Sequence, residues 1–193
     1  MSTKESIIEA ATVIFANKGY KGMTMKEIAS EVGIKAPSVY AFFRSKEDVF
    51  LHIYQEVLKG HLELTMKNNK QSHHKSVKEQ LDHLLYHVLD FQFKESLKMK
   101  VYLRLMLFPP EFMKDTIKEG LLQVDRQEHA MFCSMFEKGM ESGEIKQADS
   151  SKLATSLICM MDGLFWEMQR YEKETLYNRF EVIWEQFWLG IKS

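Results

Sequence analysis

The sequence predicts an all-α protein of about nine helices. Only three prolines and nine glycines occur among 193 residues, so long stretches carry no helix breaker. Apolar residues recur at spacings of three and four along almost the whole chain. Strand-like alternation bounded by turn residues is hard to find. With 45% hydrophobic residues, the chain can bury a substantial core.

The first helix has a start signal and a stop signal. Ser2 and Glu5 form a capping box, in which each side chain satisfies the backbone amide of the other residue. Gly19 follows two polar residues and can adopt the left-handed conformation that ends many helices. Between these signals the spacing predicts one buried stripe, formed by Ile7, Ala10, Ala11, Ile14 and Phe15.

Two shorter helices follow. Thr24 and Glu27 form a second capping box, and Gly33 ends the helix that they start. A third helix begins near residues 35–36, with Pro37 in its first turn, where no amide donor is missed. The residues expected to face inward from this region are Ile28, Ala29, Val32, Ile34, Val39 and Phe43.

The remaining helices are longer. Ser45 caps a fourth helix with Asp48 at its N3 position, and this helix continues through Tyr54 and Leu58. The polar stretch at residues 68–76 is predicted to be a loop. Further helices are expected near residues 81–91, 97–108, 112–141, 149–171 and 175–191, with a candidate break near Gly120 and a turn at residues 141–146.

Composition argues against several classes of function. The net charge of −1 gives no overall attraction to nucleic acid or to a membrane, although a local patch can exist within it. The sequence contains no run of about 18 apolar residues, so we expect no membrane span. The N-terminal residues do not resemble a signal peptide. Two cysteines suit a reducing compartment. We therefore expect a cytoplasmic protein with no membrane partner.

Motifs for catalysis or metal binding are weak. The sequence has no nucleophile elbow and no phosphate loop, and the acids at residues 47–48 are explained by helix capping. His83 and His87 lie four residues apart and could grip a metal, but no third ligand is evident. Cys133 and Cys159 could sense oxidants, although such cysteines more often serve as small apolar residues. We expect no enzyme activity, no cofactor and no metal.

The second and third helices match the helix-turn-helix pattern, in which a glycine-containing turn joins two short helices. The second helix of such a unit enters the DNA major groove by its N-terminal end. Ala36, Pro37 and Ser38 give it a slim tip, and Tyr40 carries a hydroxyl that can meet a phosphate oxygen. A plain helical hairpin with a solvated basic face is the alternative that this spacing leaves open.

The charge around this motif is positive although that of the chain is not. Residues 18–46 contain two acids and six basic residues, a local charge of +4, and the basic residues are Lys18, Lys21, Lys26, Lys35, Arg44 and Lys46. Such cations give salt-dependent affinity for phosphates whatever the sequence, while residues at the tip read bases. The starts of the second and fourth helices can also direct free backbone amides at phosphates.

The N-terminal region resembles the tetracycline-repressor (TetR-type) family. The motifs that carry the resemblance are Phe15-x3-Gly19-Tyr20-x3-Thr24, Ile28-Ala29-x2-Val32-Gly33-Ile34 and Val39-Tyr40-x2-Phe43-x-Ser45-Lys46-Glu47-Asp48. This resemblance implies a nine-helix homodimer. It places a helix-turn-helix DNA-binding domain at residues 1–47 and a ligand-binding and dimerisation domain at residues 48–193.

The resemblance also assigns residues to the DNA interface. Thr24, Tyr40 and Lys46 would contact phosphates. Lys35 stands where the family often has a capping serine or threonine, and Phe42 stands where many members have histidine or tyrosine. Phe42 therefore loses a phosphate hydrogen bond but can pack against a thymine methyl. The full expected set is Thr24, Lys26, Lys35, Ala36, Pro37, Ser38, Tyr40, Ala41, Phe42 and Lys46.

The last two predicted helices carry apolar stripes wider than a surface helix needs. A palindromic operator requires two copies of the reading helix at a fixed separation, which favours a two-fold interface of four helices. A helix pair buried in the core of one chain is the alternative. The residues predicted for the dimer interface are Leu157, Met161, Leu164, Met168, Phe180, Trp184, Phe187 and Trp188.

The middle helices are rich in methionine and aromatic residues, which can line an adaptable pocket. For any single residue a plain core is the alternative. Few charges occur among them, so the expected effector is apolar or amphipathic, such as a lipophilic drug or a fatty-acyl compound. The candidates are Met99, Tyr102, Leu103, Met106, Phe136, Met161, Phe165 and Trp166.

The function expected from these observations is ligand-responsive transcriptional regulation. The regulator would most readily be a repressor that binds a palindromic double-stranded operator as a homodimer and is released by a small-molecule effector. A DNA-independent carrier of apolar ligands is the alternative. The basic patch discriminates between the two, because a carrier does not need it.

Overall fold

The computed structural model describes residues 2–70 and 76–193, with the main chain alone for residues 62–70. Within these ranges the chain forms nine α-helices and no β-strand, and the all-α prediction is confirmed. A 3-10 turn at Glu111–Met113 precedes the seventh helix. The helices are α1 (Thr3–Gly22), α2 (Met25–Val32), α3 (Ala36–Tyr40), α4 (Lys46–Lys70), α5 (Val77–Lys94), α6 (Ser96–Leu107), α7 (Lys114–Glu141), α8 (Ser150–Glu167) and α9 (Lys173–Ile191).

Side chains cap the first two helices at the predicted positions. The amide of Glu5 donates to Ser2 Oγ at 3.3 Å, and the amide of Ser2 donates to the Glu5 carboxylate at 2.7 Å. At α2, Thr24 Oγ1 accepts from the amide of Glu27 at 3.1 Å. The Glu27 carboxylate forms an ion pair with Lys18. The capping box is therefore complete at α1, whereas at α2 the glutamate side chain has a different partner.

Gly19 interrupts α1, although not in the left-handed helical conformation that we expected. Its φ of +69° and ψ of −179° lie in a region that essentially only glycine occupies. The chain then makes one more turn, to Gly22, and leaves the helix at Met23. The glycine thus redirects the chain between α1 and α2.

The chain divides into two compact units. The first unit comprises Met1–Leu64 and Lys94–Leu122. Its core contains the phenylalanines at positions 15, 43 and 50, which are all at most 1% exposed. Val101 and Leu105 of α6 belong to the same core, so α6 supports the N-terminal helices directly. The predicted domain boundary at residue 47 stays a prediction.

The second unit comprises Thr65–Phe93 and Gln123–Ser193. Glu144 caps α5, because its carboxylate accepts from the amides of Val77 at 2.7 Å and Lys78 at 2.9 Å. The largest fully buried side chains of this unit are Leu81, Leu84, Phe132, Phe136 and Phe180. None of the helices in either unit, over the described residues, combines the length and apolar content that a membrane crossing requires.

The predicted loop at residues 68–76 falls mostly outside the described residues. Residues 68–70 belong to α4. Ser76 begins α5 with a capping box, because Glu79 donates its amide to Ser76 Oγ at 3.2 Å and accepts the Ser76 amide at 2.9 Å. His73 and His74 lie outside the described residues.

Gly120 does not break α7, contrary to our prediction, since the helix continues to Glu141. A Cβ atom at Gly120 would lie 2.0 Å from Tyr54 Oη and 2.9 Å from Leu58 Cδ1. The Tyr54 hydroxyl donates to the carbonyl of Thr116 at 3.1 Å. The missing side chain therefore lets α4 approach α7 closely.

We expect Gly120→Ala to lower the free energy of unfolding by about 1–3 kcal/mol, because the new methyl must displace Tyr54 or Leu58 from a packed site. The matched control is Gly60→Ala in α4, where an added Cβ meets nothing within 4 Å. Urea unfolding at equal protein concentration measures both variants. Equal stability of the two would contradict the close approach of α4 to α7.

Candidate nucleic-acid interface

A tight turn joins α2 to α3. Gly33 ends α2, as the sequence predicted, and it adopts the left-handed conformation with φ +74° and ψ 28°. The amide of Ile34 then donates to the carbonyl of Ala29 at 2.9 Å, and the amide of Gly33 donates to the carbonyl of Ser30 at 3.2 Å. These two bonds satisfy carbonyls at the end of α2 and fix the direction in which α3 departs.

Two buried side chains anchor the inner side of α3. Val39 is 0% exposed and Phe43, just beyond the helix, is 1% exposed. Tyr40 and Phe42 are 54% and 43% exposed, and Pro37 is also exposed. Burying Val39 and Phe43 therefore presents the other side of this five-residue helix to solvent.

The predicted DNA-binding residues share this outer side. We call this surface the basic face and define it by Thr24, Lys26, Arg44 and Lys46 with residues 35–38 and 40–42. Its exposed members are Thr24, Lys26, Lys35, Pro37, Ser38, Tyr40, Ala41, Phe42 and Arg44, while Ala36 and Lys46 are partly buried. The structure thus brings the predicted set together around α3.

Thr24 has a donor left for a ligand. Its oxygen accepts the amide of Glu27, so its hydroxyl hydrogen can point to an anion. The first amides of α2 lack carbonyl partners within the helix, as at every helix start. A phosphate placed here would meet both kinds of donor.

One cation near the face already has a partner. Lys18 forms an ion pair with Glu27, which leaves the local charge of +4 unchanged because both residues are counted in it. Lys26, Lys35 and Arg44 are exposed, and their side chains form no ion pair within the described ranges. These three cations are available to a phosphate backbone.

Lys46 is held in place by Tyr20. Its Nζ donates to the Tyr20 carbonyl at 2.9 Å and lies 4.0 Å from the centroid of the Tyr20 ring. The Tyr20 hydroxyl donates to Glu47 at 2.6 Å. Burial, with the Glu47 carboxylate second, raises the pKa of Tyr20, and the same hydrogen bond lowers the pKa of Glu47. Lys46 is therefore positioned at the start of α4 before any DNA arrives.

Arg104 of α6 holds the end of α1. Its Nε donates to the carbonyl of Ala16 at 2.8 Å, and its Nη2 donates to the carbonyl of Asn17 at 2.8 Å. The kink at Gly19 removes the helical partners of these carbonyls. A guanidinium fork suits two adjacent acceptors, so Arg104 replaces hydrogen bonds that α1 cannot make for itself.

Sequence analysis identified neither Tyr20 nor Arg104 as a support of this face. Tyr20 belongs to the motif after Gly19, and it makes ring contacts with Phe50 and Phe112 at 5.3 and 5.0 Å. Arg104 is the single cation in the apolar run YLRLML. A cation in such a run indicates that its side chain has a specific hydrogen-bond acceptor elsewhere in the fold. The position of that acceptor in α1 was not evident from local sequence.

The candidate ligand residues fall into two sets. Met99, Tyr102, Leu103 and Met106 lie on α6 in the first unit, where Tyr102 stacks on His61 at 4.9 Å between ring centroids. Phe136, Met161, Phe165 and Trp166 lie in the second unit. Phe136 is 0% exposed and Trp166 is 45% exposed.

Most of the predicted dimer residues serve the core of the single chain. Leu157, Leu164, Phe180, Trp184 and Trp188 are buried in it, and Met161, Met168 and Phe187 are partly buried. The wide apolar stripes of α8 and α9 thus cover one another and their own unit. This burial fits the alternative of a helix pair in the core of one chain, and the predicted dimer interface stays a prediction. The exposed apolar side chains on these helices are Trp166, Val182, Ile183 and Leu189.

The histidine and cysteine candidates form no metal cluster in the described part of the chain. His83 and His87 are exposed, and their ring centroids lie 6.5 Å apart. Cys133 Sγ lies 3.6 Å from His129 Nδ1, and burial raises the pKa of this thiol. A raised thiol pKa lowers the reactive thiolate fraction. Cys159 is exposed.

The α2–α3 unit and its basic face define a helix-turn-helix DNA-binding protein. Residues 7–53 match the bacterial regulatory proteins of the tetR family, and residues 68–187 match the C-terminal region of QacR-like proteins. The chain therefore belongs to the tetR family of bacterial regulatory proteins. It is a DNA-binding transcriptional regulator and not an enzyme.

Two relatives illustrate the similarity in sequence. The uncharacterised HTH-type transcriptional regulator YhgD of Bacillus subtilis (strain 168) is 27% identical over 184 residues, which cover 93% of each chain. The biofilm operon icaADBC HTH-type negative transcriptional regulator IcaR of Staphylococcus aureus (strain Newman) is 30% identical over 110 residues, which cover 56% of each chain.

Solved structures share the fold. The ketosteroid transcriptional regulator KstR2 of Mycobacterium tuberculosis has a TM-score of 0.71 at 17% identity, over 100% of this chain and 96% of that one. The fatty acid degradation regulator FadR of Bacillus halodurans has a TM-score of 0.68 at 18% identity, over 93% of this chain and 92% of that one. At these identities the similarity establishes the fold alone.

We expect Arg104→Ala to lower the free energy of unfolding by about 1–3 kcal/mol, because two carbonyls of α1 lose a charged donor. DNA affinity should fall too, since the end of α1 supports Tyr20 and Lys46. Lys100→Ala, an exposed cation on the same helix, is the control. Urea unfolding and fluorescence anisotropy with labelled DNA give the two readouts. Wild-type stability and affinity in Arg104→Ala would exclude the anchoring role.

Proposed function

We propose that the protein is a cytoplasmic repressor that binds a palindromic operator as a homodimer and is released by a small apolar or amphipathic effector. The observation that carries this proposal is the basic face, on which a slim helix tip stands between exposed cations. Membership of the tetR family supports it. IcaR, a relative, is described as a negative regulator.

The basic face divides into two kinds of contact. Thr24, Lys26, Tyr40 and Lys46 would contact phosphates and set the register of the protein on the duplex. Residues 35–38, with Ala41 and Phe42, would face base edges in the major groove. Their groups are mostly apolar, which favours contact with thymine methyls, and Lys35 can bond to guanine.

The homodimer requires a surface that a second copy can cover. Trp166 of α8 and Val182 of α9 are 45% and 62% exposed, and Leu189 of α9 is 45% exposed. Gly163 on α8 adds no side chain, and nothing lies within 4 Å of a Cβ built there. We propose that these exposed groups take part in the interface, beside the residues of α8 and α9 that the sequence predicts.

The effector proposal rests on the composition of the C-terminal region and on two structural neighbours. The name of KstR2 refers to ketosteroids and that of FadR to fatty acid degradation, and ketosteroids and fatty acids are both lipophilic compounds. The QacR-like match of the C-terminal region supports ligand binding in that part of the chain. Ligand binding would favour a conformation in which the two reading helices no longer match adjacent major grooves.

A DNA-independent carrier of apolar ligands is the second candidate. It would explain the methionine-rich helices equally well. The exposed Lys26, Lys35 and Arg44 favour the regulator, because a carrier has no use for unpaired cations around a slim helix tip.

The direct test uses the fragment upstream of the protein's own coding region. We expect purified protein to bind a palindrome in this fragment and a lipophilic effector to weaken that binding. Absence of binding to any genomic fragment, even in dilute buffer, would favour the carrier.

We expect Lys26→Ala to weaken binding to specific and nonspecific DNA by a similar factor, because it removes one phosphate contact in each protomer. The slope of log affinity against log salt concentration should become shallower by about one for each protomer. Lys138→Ala, an exposed lysine on α7, is the control. Fluorescence anisotropy over a salt series measures the slope. An unchanged slope would remove Lys26 from the interface.

We expect Leu189→Glu to shift the protein from dimer to monomer without unfolding it, because the residue is already 45% exposed in the single chain and a buried charge would oppose association. Leu122→Glu on α7, at a residue 42% exposed, is the control. Analytical ultracentrifugation reports the oligomeric state and circular dichroism reports the fold. A Leu189→Glu dimer as tight as wild type would place the interface elsewhere.

A further inference from the structure

A small cavity lies inside the second unit between α5, α8 and α9. Its volume is about 10 Å³. The apolar part of its wall is formed by Leu85, Val88 and Leu89 of α5, Met161 and Leu164 of α8, and Phe180 of α9. Every one of these helices belongs to the same compact unit, so the cavity is a feature of one packed body.

Gln92 of α5 is the polar member of the wall. Its Oε1 is buried and accepts no hydrogen bond from the described residues. A buried amide oxygen without a donor disfavours the folded state, so proteins rarely retain one. Gln92 lines the cavity, while its Oε1 is closed off from it, so a donor from outside the chain reaches this acceptor only when neighbouring side chains move.

Water is a poor candidate for this donor. Buried waters typically make about three hydrogen bonds, and this wall offers one polar side chain among six apolar ones. A water bonded to Gln92 alone would be left with unmet bonds of its own. A ligand that has one donor and an otherwise apolar surface fits the wall better.

The wall also selects against charge. No ionisable side chain lines the cavity. An ammonium group would lose its hydration there without gaining a carboxylate, which is far costlier than burying a neutral hydroxyl or amide. The donor that fits is therefore neutral.

We propose that Gln92 is the polar anchor of an effector site between α5, α8 and α9, and that its ligand is a neutral amphiphile with one hydroxyl or amide donor. The existing cavity, at about 10 Å³, is too small for the ligand, so the ligand enters by moving side chains of the wall. The apolar body of the ligand takes its place by displacing Met161, whose unbranched side chain adapts to new shapes. Binding at Gln92 stands independently of the proposed function, and only its effect on DNA rests on that function.

The test compares three probes of equal chain length on the full-length protein by isothermal titration calorimetry. They are 1-decanol, its methyl ether, and decyltrimethylammonium. We expect wild type to bind the alcohol about tenfold more tightly than the ether, which corresponds to one hydrogen bond to a buried acceptor. The cation should bind more weakly than both.

Gln92→Met keeps the length of the side chain and removes the oxygen. We expect this variant to bind alcohol and ether equally and to have an unchanged or higher melting temperature without ligand. Gln92→Glu supplies a carboxylate and should reverse the preference toward the cation. Gln123→Leu, at an exposed glutamine on α7, should keep the wild-type ratio.

Wild-type protein that does not distinguish alcohol from ether, or a Gln92→Met protein that still does, would overturn this proposal. Operator binding is measured in parallel to separate the two hypotheses. Specific DNA binding without alcohol selectivity defeats the Gln92 site and leaves the regulator intact. Selectivity that depends on Gln92 but leaves DNA binding unchanged supports the site and counts against release by this ligand.

Discussion

The burial of Val39 and Phe43 is the constraint on which the DNA-reading surface depends. A helix of five residues does not persist in water by its own hydrogen bonds. Its conformation is maintained because its inner side chains enter the core of the first unit and because Gly33 sets the angle at which it starts. This inner packing leaves Pro37 and Ser38 at the tip of the helix exposed to solvent.

A second set of contacts connects α6 to the same surface. Arg104 bonds the end of α1, Gly19 redirects the chain, and Tyr20 then holds Lys46 at the start of α4. Each bond in this series lies within the first unit. A displacement of α6 would therefore change the position of Lys46.

Local signals predicted the elements well, and long-range contacts account for what the sequence could not show. The capping residues Ser2 and Thr24 and the helix end at Gly33 act within one helical turn, so the local sequence is sufficient to predict them. The prediction for Gly120 was wrong because this glycine makes room for Tyr54, which lies 66 positions earlier in the chain. The stripes of α8 and α9 were apolar as predicted, but periodicity alone does not distinguish a partner chain from the chain's own core. The proposed role of Gln92 could not be predicted from the local sequence, because it depends on the cavity that Gln92 lines.

We propose that two copies of the basic face read adjacent major grooves of one duplex. This proposal is tested most directly by the affinity of the purified protein for the upstream palindrome, compared with a fragment in which one half-site is scrambled. We expect that scrambling one half-site weakens binding by at least about a hundredfold, because half of the base contacts are lost. Equal affinity for the intact and the scrambled fragments, at the same salt concentration, would contradict it.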